Sequence, residues 1–324
     1  MRSLVSLDLA VLAWAERLSV HASGLTDLSS SNPVLRRAAE HRLSDLIAVE
    51  VTADAAAPVA TSDLEIPSPA GRLYARRYRP EGAGALPTQL FLHGGGFVAG
   101  SSREIVNDRL LRARSAASGV QFFSLDYRLA PEHPYPAAVD DAIAAIDWLQ
   151  DAADEIDIDS SRFGVGGISA GGGVVASALL RRRSEGRSMP IHQLLEVPAV
   201  SLSPVGASAV DYATGFGLEN LERLRDQYVG RGLSDSFASP LDYPDLTGMP
   251  RTLIMTAEFD PLRDSAEAYA ERLRQAGCDV EAIRGMGHVH GSLALTATFA
   301  AAVAWQQAVV DELSQHLVSI KEGH

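Results

Sequence analysis

The hydrophobic pattern of the chain changes character near residue 60. Before that point, apolar residues recur every three or four positions over residues 4–18 and again over 34–47. Asn32 followed by Pro33 is a typical helix start. The spacing therefore predicts two helices within residues 1–55, followed by a linker at 53–60.

Beyond residue 63, short apolar runs alternate with longer helical patterns. Residues 64–66 and 73–78 predict two strands joined by a turn rich in proline and glycine. The further apolar runs are 89–93, 120–126, 162–168, 194–200, 252–256 and 280–284, and the helical patterns are 137–150, 172–183, 218–229 and 265–276. Strands without polar interruption, alternating with helices, predict an α/β protein whose mainly parallel sheet is covered on both faces.

Composition narrows the class of partners. The 324 residues are 46% hydrophobic and 21% charged, as in ordinary globular proteins. The 28 basic against 41 acidic residues give a formal charge of −13, which disfavours nucleic acid and anionic lipid as partners. Cys278 is the single cysteine and excludes an intrachain disulfide.

The first residues contain no targeting pattern. The apolar run at 9–15 is bracketed by Asp8 and Glu16 and is too short for a secretion signal or a membrane span. We therefore expect a cytoplasmic protein without a membrane partner.

One serine stands in an unusual glycine-rich segment. Residues 167–171 read Gly-x-Ser-x-Gly around Ser169, between an apolar run at 163–168 and a helical pattern at 174–180. A nucleophilic serine on a sharp strand-to-helix turn needs small residues two positions before and after it, because the chain closes on itself there. The pentapeptide alone would equally fit a flexible glycine loop or a phosphate-binding turn.

A second glycine run precedes the serine in the chain. Residues 93–97 read His-Gly-Gly-Gly-Phe directly after a predicted strand. Backbone amides of consecutive glycines can stabilise the oxyanion of acyl transfer. We assign this role to the amides of Gly94, Gly95 and Ala170. A glycine turn without a ligand is the alternative, and the presence of both motifs in this order disfavours it.

A serine nucleophile requires a base and a carboxylate that orients the base. Asp260 follows a predicted strand, and two histidines, His288 and His290, follow the last one. The chain order Ser, Asp, His is typical of α/β-hydrolases. Asp264 and Glu258 compete with Asp260, but Asp260 lies nearer the strand end, and Asp264 is expected to begin the next helix.

Five segments carry a resemblance to a known family. They lie at residues 93–97, 126–132, 167–172, 260–264 and 290–291. With these motifs in this order, the chain resembles the hormone-sensitive-lipase-like family of α/β-hydrolases over at least residues 64–300. The resemblance implies an α/β-hydrolase fold with a helical cap. It also implies Ser169 as nucleophile, Asp260 as the orienting acid and His290 as base, since counting without gaps from the helix before the last strand reaches His290.

The resemblance further implies an organisation and a chemistry. Residues 1–55 would form an N-terminal cap segment, and residues 56–324 the catalytic domain with a second cap insertion at about 203–238. The expected activity is that of a serine carboxylesterase on small to medium acyl esters, without metal or cofactor. Whether the protein forms a homodimer is left open. The expected pocket walls are three aromatic residues: Phe97, Tyr212 and Phe216.

Other functions are compatible with the same motifs, and two residues depart from the family pattern. The same machinery serves deacetylases, lactonases and acyltransferases, and a ligand receptor on this fold would lack the base. Ile168 stands where the family usually has Asp, so the polar network behind the serine is in question. Ser292 stands where a large apolar residue is common.

Overall fold

A central sheet organises the chain. The structure is a computed structural model that describes residues 7–214, 221–230 and 236–319. Its strands are β1 (Ala60–Ser68), β2 (Gly71–Arg79), β3 (Leu86–Leu92), β4 (Gln121–Asp126), β5 (Ile158–Ile168), β6 (His192–Glu196), β7 (Arg251–Phe259) and β8 (Val280–Val289). They lie in the order β1-β2-β4-β3-β5-β6-β7-β8, antiparallel from β1 to β4 and parallel from there on.

Helices cover both faces of this sheet, as the hydrophobic pattern predicts. The principal helices are α1 (Leu9–Ser23), α2 (Pro33–Val51), α3 (Ile105–Ser118), α4 (Ala137–Asp151), α5 (Ala170–Ser184), α6 (Ser208–Asp211), α7 (Leu221–Val229), α8 (Arg263–Gln275) and α9 (Ala300–Leu313). One apolar cluster joins the sheet to α4, α5 and α8, and another joins it to α3 and α9. Two cores on opposite faces confirm the α/β class. Along the described ranges, no helix combines the length and apolar character that crossing a bilayer needs.

Two strand ends differ from the sequence prediction. β6 stops at Glu196 rather than continuing to residue 200, because Val197 takes a positive φ of 40° and turns the chain out of the sheet. β8 continues to Val289, five residues beyond the predicted apolar run. Both changes matter for function, since they set where the loops at the carboxyl edge of the sheet begin.

The N-terminal helix α2 is fastened to the loops at the carboxyl edge. Its Arg37 donates hydrogen bonds to the carbonyl oxygens of Val98 (2.5 Å) and Ala130 (2.7 Å) and pairs with the carboxylate of Glu132. At its other end, Arg109 of α3 donates to the carbonyl of Ala48 at 3.0 Å. These contacts hold α2 above the edge of the sheet where the glycine motifs lie.

A buried ion cluster ties α9 to the opposite, amino edge of the parallel strands. Glu312 accepts a hydrogen bond from Arg251 Nε at 3.0 Å, and its Oε1 lies 3.0 Å from His192 Nε2. Burial alone would raise the pKa of Glu312, but the hydrogen bonds from His192 and Arg251 outweigh it and lower the pKa to about 2. The ionised carboxylate is therefore a stabilising group in the folded state.

We expect Glu312→Gln to lower the free energy of unfolding at pH 7 by about 3 kcal/mol, because the substitution leaves Arg251 without its buried partner. The stability that a depressed carboxyl pKa provides is complete above the ordinary value of 4.5 and is lost as the pH falls towards 2. Urea denaturation should therefore show the difference between variant and wild type shrinking from pH 5 to pH 2.

Glu271→Gln, on the exposed side of α8, is the matched control and should change stability by less than about 0.5 kcal/mol. A Glu312→Gln effect no larger than that of Glu271→Gln, or one independent of pH, would contradict this account of the cluster.

Candidate active site

Ser169 occupies a strained turn between β5 and α5. Its φ of 53° and ψ of −118° lie outside the regions that residues with a side chain normally adopt. Two backbone hydrogen bonds hold it there: its N–H donates to the carbonyl of Glu196 at 2.8 Å, and its carbonyl accepts from the N–H of Ala199 at 3.0 Å. The turn is thus clamped to the segment that follows β6.

The glycines around Ser169 are required by close packing. A Cβ atom on Gly167 would lie 2.5 Å from the carbonyl carbon of Gly171, and one on Gly171 would lie 2.3 Å from the carbonyl oxygen of Leu92. Both distances are far below van der Waals contact. The two positions that the sequence motif reserves for glycine therefore have no room for a side chain.

The structure brings the three predicted catalytic residues together. Ser169 Oγ lies 2.9 Å from His290 Nε2, and His290 Nδ1 lies 2.8 Å from Asp260 Oδ2. Asp260 is fully buried, and its other oxygen accepts the N–H of Leu262 at 2.8 Å. The three side chains come from the ends of β5, β7 and β8, and they form the nucleophile, base and acid chain that acyl transfer needs.

His288, the alternative to His290 as base, lies in the protein core. His288 is buried, its Nδ1 lies 2.8 Å from Ser292 Oγ, and its ring packs against Phe299 and Trp305. Burial lowers the pKa of its imidazole. The hydroxyl of Ser292, which replaces the apolar residue common in the family, thus serves as the partner of a core histidine.

Asp264 and Glu258, the two alternatives to Asp260 as the orienting acid, bind backbone groups of neighbouring segments. Asp264 accepts the N–H of Ser208 at 2.9 Å and donates its own N–H to the Ser208 hydroxyl at 3.1 Å, which joins the β6–β7 segment to the start of α8. Glu258 accepts the N–H of Gly287 at 2.7 Å in the stretch leading to His290. These contacts support the loops that carry Asp260 and His290.

The glycine run after β3 lies against Ser169. A Cβ on Gly94 would be 3.4 Å from the Cβ of Ser169, and one on Gly95, at a φ of 121°, would be 2.1 Å from the carbonyl of Ala99. Within the described parts of the chain, the amides of Gly94 and Gly95 donate no hydrogen bond. Ala170 is the first residue of α5, so its amide has no intrahelical acceptor. These amides are available to stabilise an oxyanion.

Two cavities meet at Ser169. The first, of about 440 Å³, extends from Ser169 and His290 beneath α1, α2 and α3 and has mostly apolar walls. The second, of about 420 Å³, extends towards α7 and the β6–β7 segment. Both volumes are in the range of small-molecule sites.

Of the three aromatic residues predicted to line the pocket, one lines a cavity, one packs elsewhere and one lies outside the described residues. Phe97 lines the second cavity and stacks on Tyr228 with ring centroids 3.8 Å apart. Tyr212 instead packs edge-on against Phe259 and beneath the guanidinium of Arg263. The described lining of the second cavity includes its neighbours Ala209 and Ala213, and Tyr212 lines neither cavity within the described residues. Phe216 falls outside the described residues.

A buried carboxylate lies on the strand that pairs with the segment before Ser169. Ile168 pairs in register with Glu196 of β6. The fully buried Glu196 carboxylate accepts two hydrogen bonds from Arg114, at 2.7 and 2.8 Å, and one from the indole of Trp305 at 2.6 Å. Sequence reasoning missed this group, although a single glutamate inside an otherwise apolar strand was a signal for it.

We expect Gly167→Ala to lower the free energy of unfolding by about 1–3 kcal/mol through overpacking, and to slow the labelling of Ser169 by a fluorophosphonate. The physical reason is that the added methyl forces Gly171 and the turn apart. Urea denaturation and mass spectrometry of the labelled protein measure the two effects.

Gly24→Ala is the matched control, because a Cβ there meets its nearest atom at 3.6 Å and the backbone is right-handed helical. Equal stability and equal labelling rates for the two variants would refute the packing argument.

Comparison with known proteins places this geometry in a family. A profile of the α/β-hydrolase fold matches residues 89–294. The carboxylic ester hydrolase LipN of Mycobacterium tuberculosis (strain ATCC 25618 / H37Rv) is 39% identical over 272 residues, covering 80% of this chain and 71% of LipN. An arylesterase of Saccharolobus solfataricus is 35% identical over 261 residues, covering 78% of this chain and 82% of the relative.

Solved structures agree with these relatives. EstE1, a thermophilic carboxylesterase cloned from a metagenomic library, superposes with a TM-score of 0.82 at 35% identity, covering 89% of this chain and 98% of that one. A hyperthermophilic esterase from the archaeon Pyrobaculum calidifontis has a TM-score of 0.86 at 31% identity, covering 96% and 99%. The profile match and these relatives confirm the resemblance read from the five motifs: the chain belongs to the α/β-hydrolase family, in its hormone-sensitive-lipase-like branch.

Proposed function

We propose that the protein is a serine carboxylesterase that hydrolyses small to medium acyl esters through an acyl-enzyme. The observation that carries this proposal is the hydrogen-bonded chain from Ser169 through His290 to Asp260, opening on two cavities beside unengaged backbone amides. Relatives that share the fold are named as ester hydrolases, which supports the same chemistry.

The first half of the reaction forms the acyl-enzyme. Ser169 Oγ attacks the ester carbonyl while His290 Nε2 takes the hydroxyl proton, and Asp260 keeps the imidazole oriented and stabilises its charge. The carbonyl oxygen becomes an oxyanion that accepts hydrogen bonds from backbone amides, for which we assign Gly94, Gly95 and Ala170. The intermediate then collapses, and the leaving alcohol takes the proton from His290.

The second half repeats the cycle with water. His290 Nε2 removes a proton from a water molecule, whose oxygen attacks the acyl carbonyl. The same amides stabilise the second oxyanion, and Ser169 leaves with the proton returned by His290. The carboxylic acid is released and the free enzyme is restored.

The helical segments over the site would act as its cap. We assign residues 1–55 as an N-terminal cap segment on the catalytic domain of residues 56–324, with a second insertion at about 203–238. The support is positional, because α2 lines the first cavity and α7 lines the second. Two cavities of this size accommodate the two halves of a small or medium ester, with its carbonyl at Ser169.

A receptor that has lost catalysis is disfavoured by one observation. The proposed base is present and lies within hydrogen-bond distance of the nucleophile, at 2.9 Å. A binding protein has no need of this contact, nor of a buried carboxylate behind it.

We expect Ser169→Ala and His290→Ala each to reduce kcat for p-nitrophenyl butyrate by at least about 10³-fold, because each removes part of one proton-transfer unit. The double variant should lose little more than either single variant, since residues that act as a unit are not additive. Steady-state kinetics with the purified full-length chain measures all three.

Ser161→Ala, an exposed serine on β5, is the matched control and should keep wild-type turnover. Substantial activity in Ser169→Ala, or losses that multiply in the double variant, would contradict the assignment.

A further inference from the structure

The first cavity has an acidic wall. Its described lining contains two carboxylates, Glu40 and Glu104, and no lysine or arginine. The remaining walls are mostly apolar, and Ser169 and His290 lie in the same cavity. In a cavity of this composition, the few charged groups determine which polar substituents a ligand can carry.

Glu104 is the less compensated of these two carboxylates. Its Oε2 accepts a hydrogen bond from Asn107 Nδ2 at 3.3 Å, and no ion pair with a basic side chain is found for it within the described residues. Glu40, in contrast, has the guanidinium of Arg36 at 3.8 Å. Glu104 is partly buried, and an acidic group that is shielded from water without a cation partner is costly to ionise unless a ligand supplies the positive charge.

The groups around Glu104 add to the negative potential. The carboxylates of Asp45, Asp126 and Glu40 all lie close enough to raise the pKa of Glu104. Asp45 accepts the N–H of Ile105 at 2.8 Å and has His41 at 3.4 Å. Asp126 accepts the N–H of Ser102 at 2.5 Å and has His93 at 3.8 Å. Neither aspartate pairs with a lysine or arginine within the described residues. Burial first, and then these neighbouring carboxylates, raise the pKa of Glu104 to about 8. A bound cation would relieve both effects.

We propose that this cavity selects esters carrying a cationic ammonium group, and that Glu104 is the residue that recognises the charge. The inference rests on the proposed esterase function and adds its substrate class. The apolar walls would contact the carbon chain that links the ester at Ser169 to the charged end, while the acidic wall would contact the ammonium group.

Two pairs of matched substrates test the proposal, because the charge can lie on either half of the ester. Butyrylcholine is compared with its uncharged isostere 3,3-dimethylbutyl butyrate. The p-nitrophenyl ester of 6-(trimethylammonio)hexanoic acid is compared with that of 7,7-dimethyloctanoic acid. In at least one pair, the wild-type enzyme should show a kcat/KM about tenfold or more higher for the cationic member.

The isosteric variant Glu104→Gln should reduce that preference about tenfold, because it keeps the volume but leaves no carboxyl group that can ionise against the bound cation. Asp154→Asn is the matched control: it makes the same change from carboxyl to amide on an exposed turn before β5 and should leave the preference unchanged. If Glu104→Gln does not fold, inhibition of the wild-type enzyme gives the same comparison with two pairs of inhibitors. These are choline against 3,3-dimethylbutan-1-ol, and 6-(trimethylammonio)hexanoate against 7,7-dimethyloctanoate. In at least one pair the cationic member should bind more tightly.

The outcomes separate this inference from the proposed function. Equal or inverted preference in both substrate pairs, or the same preference in Glu104→Gln and Asp154→Asn, overturns the cationic subsite while leaving an active esterase. Equal or weaker inhibition by the cationic member of both inhibitor pairs overturns it as well. Failure of the wild-type enzyme to hydrolyse any of the four esters would overturn the esterase function itself.

Discussion

The strained backbone of Ser169 is the constraint on which the site depends. Its positive φ puts the hydroxyl above the end of β5, and this shape persists because the surrounding chain leaves no room for another. Gly167 and Gly171 touch across the turn, and Gly171 also lies against the carbonyl of Leu92. The glycines thus permit close packing, and the close packing brings the loop after β3, with its unengaged amides, to Ser169.

Short hydrogen bonds also hold in place the residues that partner Ser169. Asp260 is fixed by the amide of Leu262, and the stretch before His290 is held by Glu258. These contacts stand at the carboxyl edge of the sheet, where strands end and loops begin. Such preorganisation lets the site stabilise developing charge without rearranging at the moment of reaction.

A buried ion pair on β6 stands beside the strand that leads to Ser169. Ile168 of β5 pairs in register with Glu196, whose carboxylate binds Arg114 and Trp305. A buried ion pair is costly to assemble and more costly to break, so both partners must be retained together. The backbone carbonyl of Glu196 also accepts the N–H of Ser169, so the ion pair and the turn share one residue of β6.

The sequence was sufficient to predict the class of fold, because the fold class depends on local apolar runs. Glycines at fixed offsets were likewise sufficient to locate the strained turn at Ser169. It did not predict α3, which buries the charged Arg114 and so lacks a clean apolar face. The pairing of Arg114 with Glu196, 82 residues away, is likewise visible only in three dimensions. The position of Tyr212 was not predictable either, because its ring packs against Phe259 and Arg263, which are distant from it in the sequence.

The most direct test of the central claim is a crystal structure of the enzyme after reaction with a p-nitrophenyl alkylphosphonate. The account predicts phosphorus bonded to Ser169 Oγ, with the phosphoryl oxygen about 3 Å from the amides of Gly94, Gly95 and Ala170. It also predicts His290 still between Ser169 and Asp260. A phosphonate attached to another residue, or a phosphoryl oxygen turned away from those amides, would contradict it.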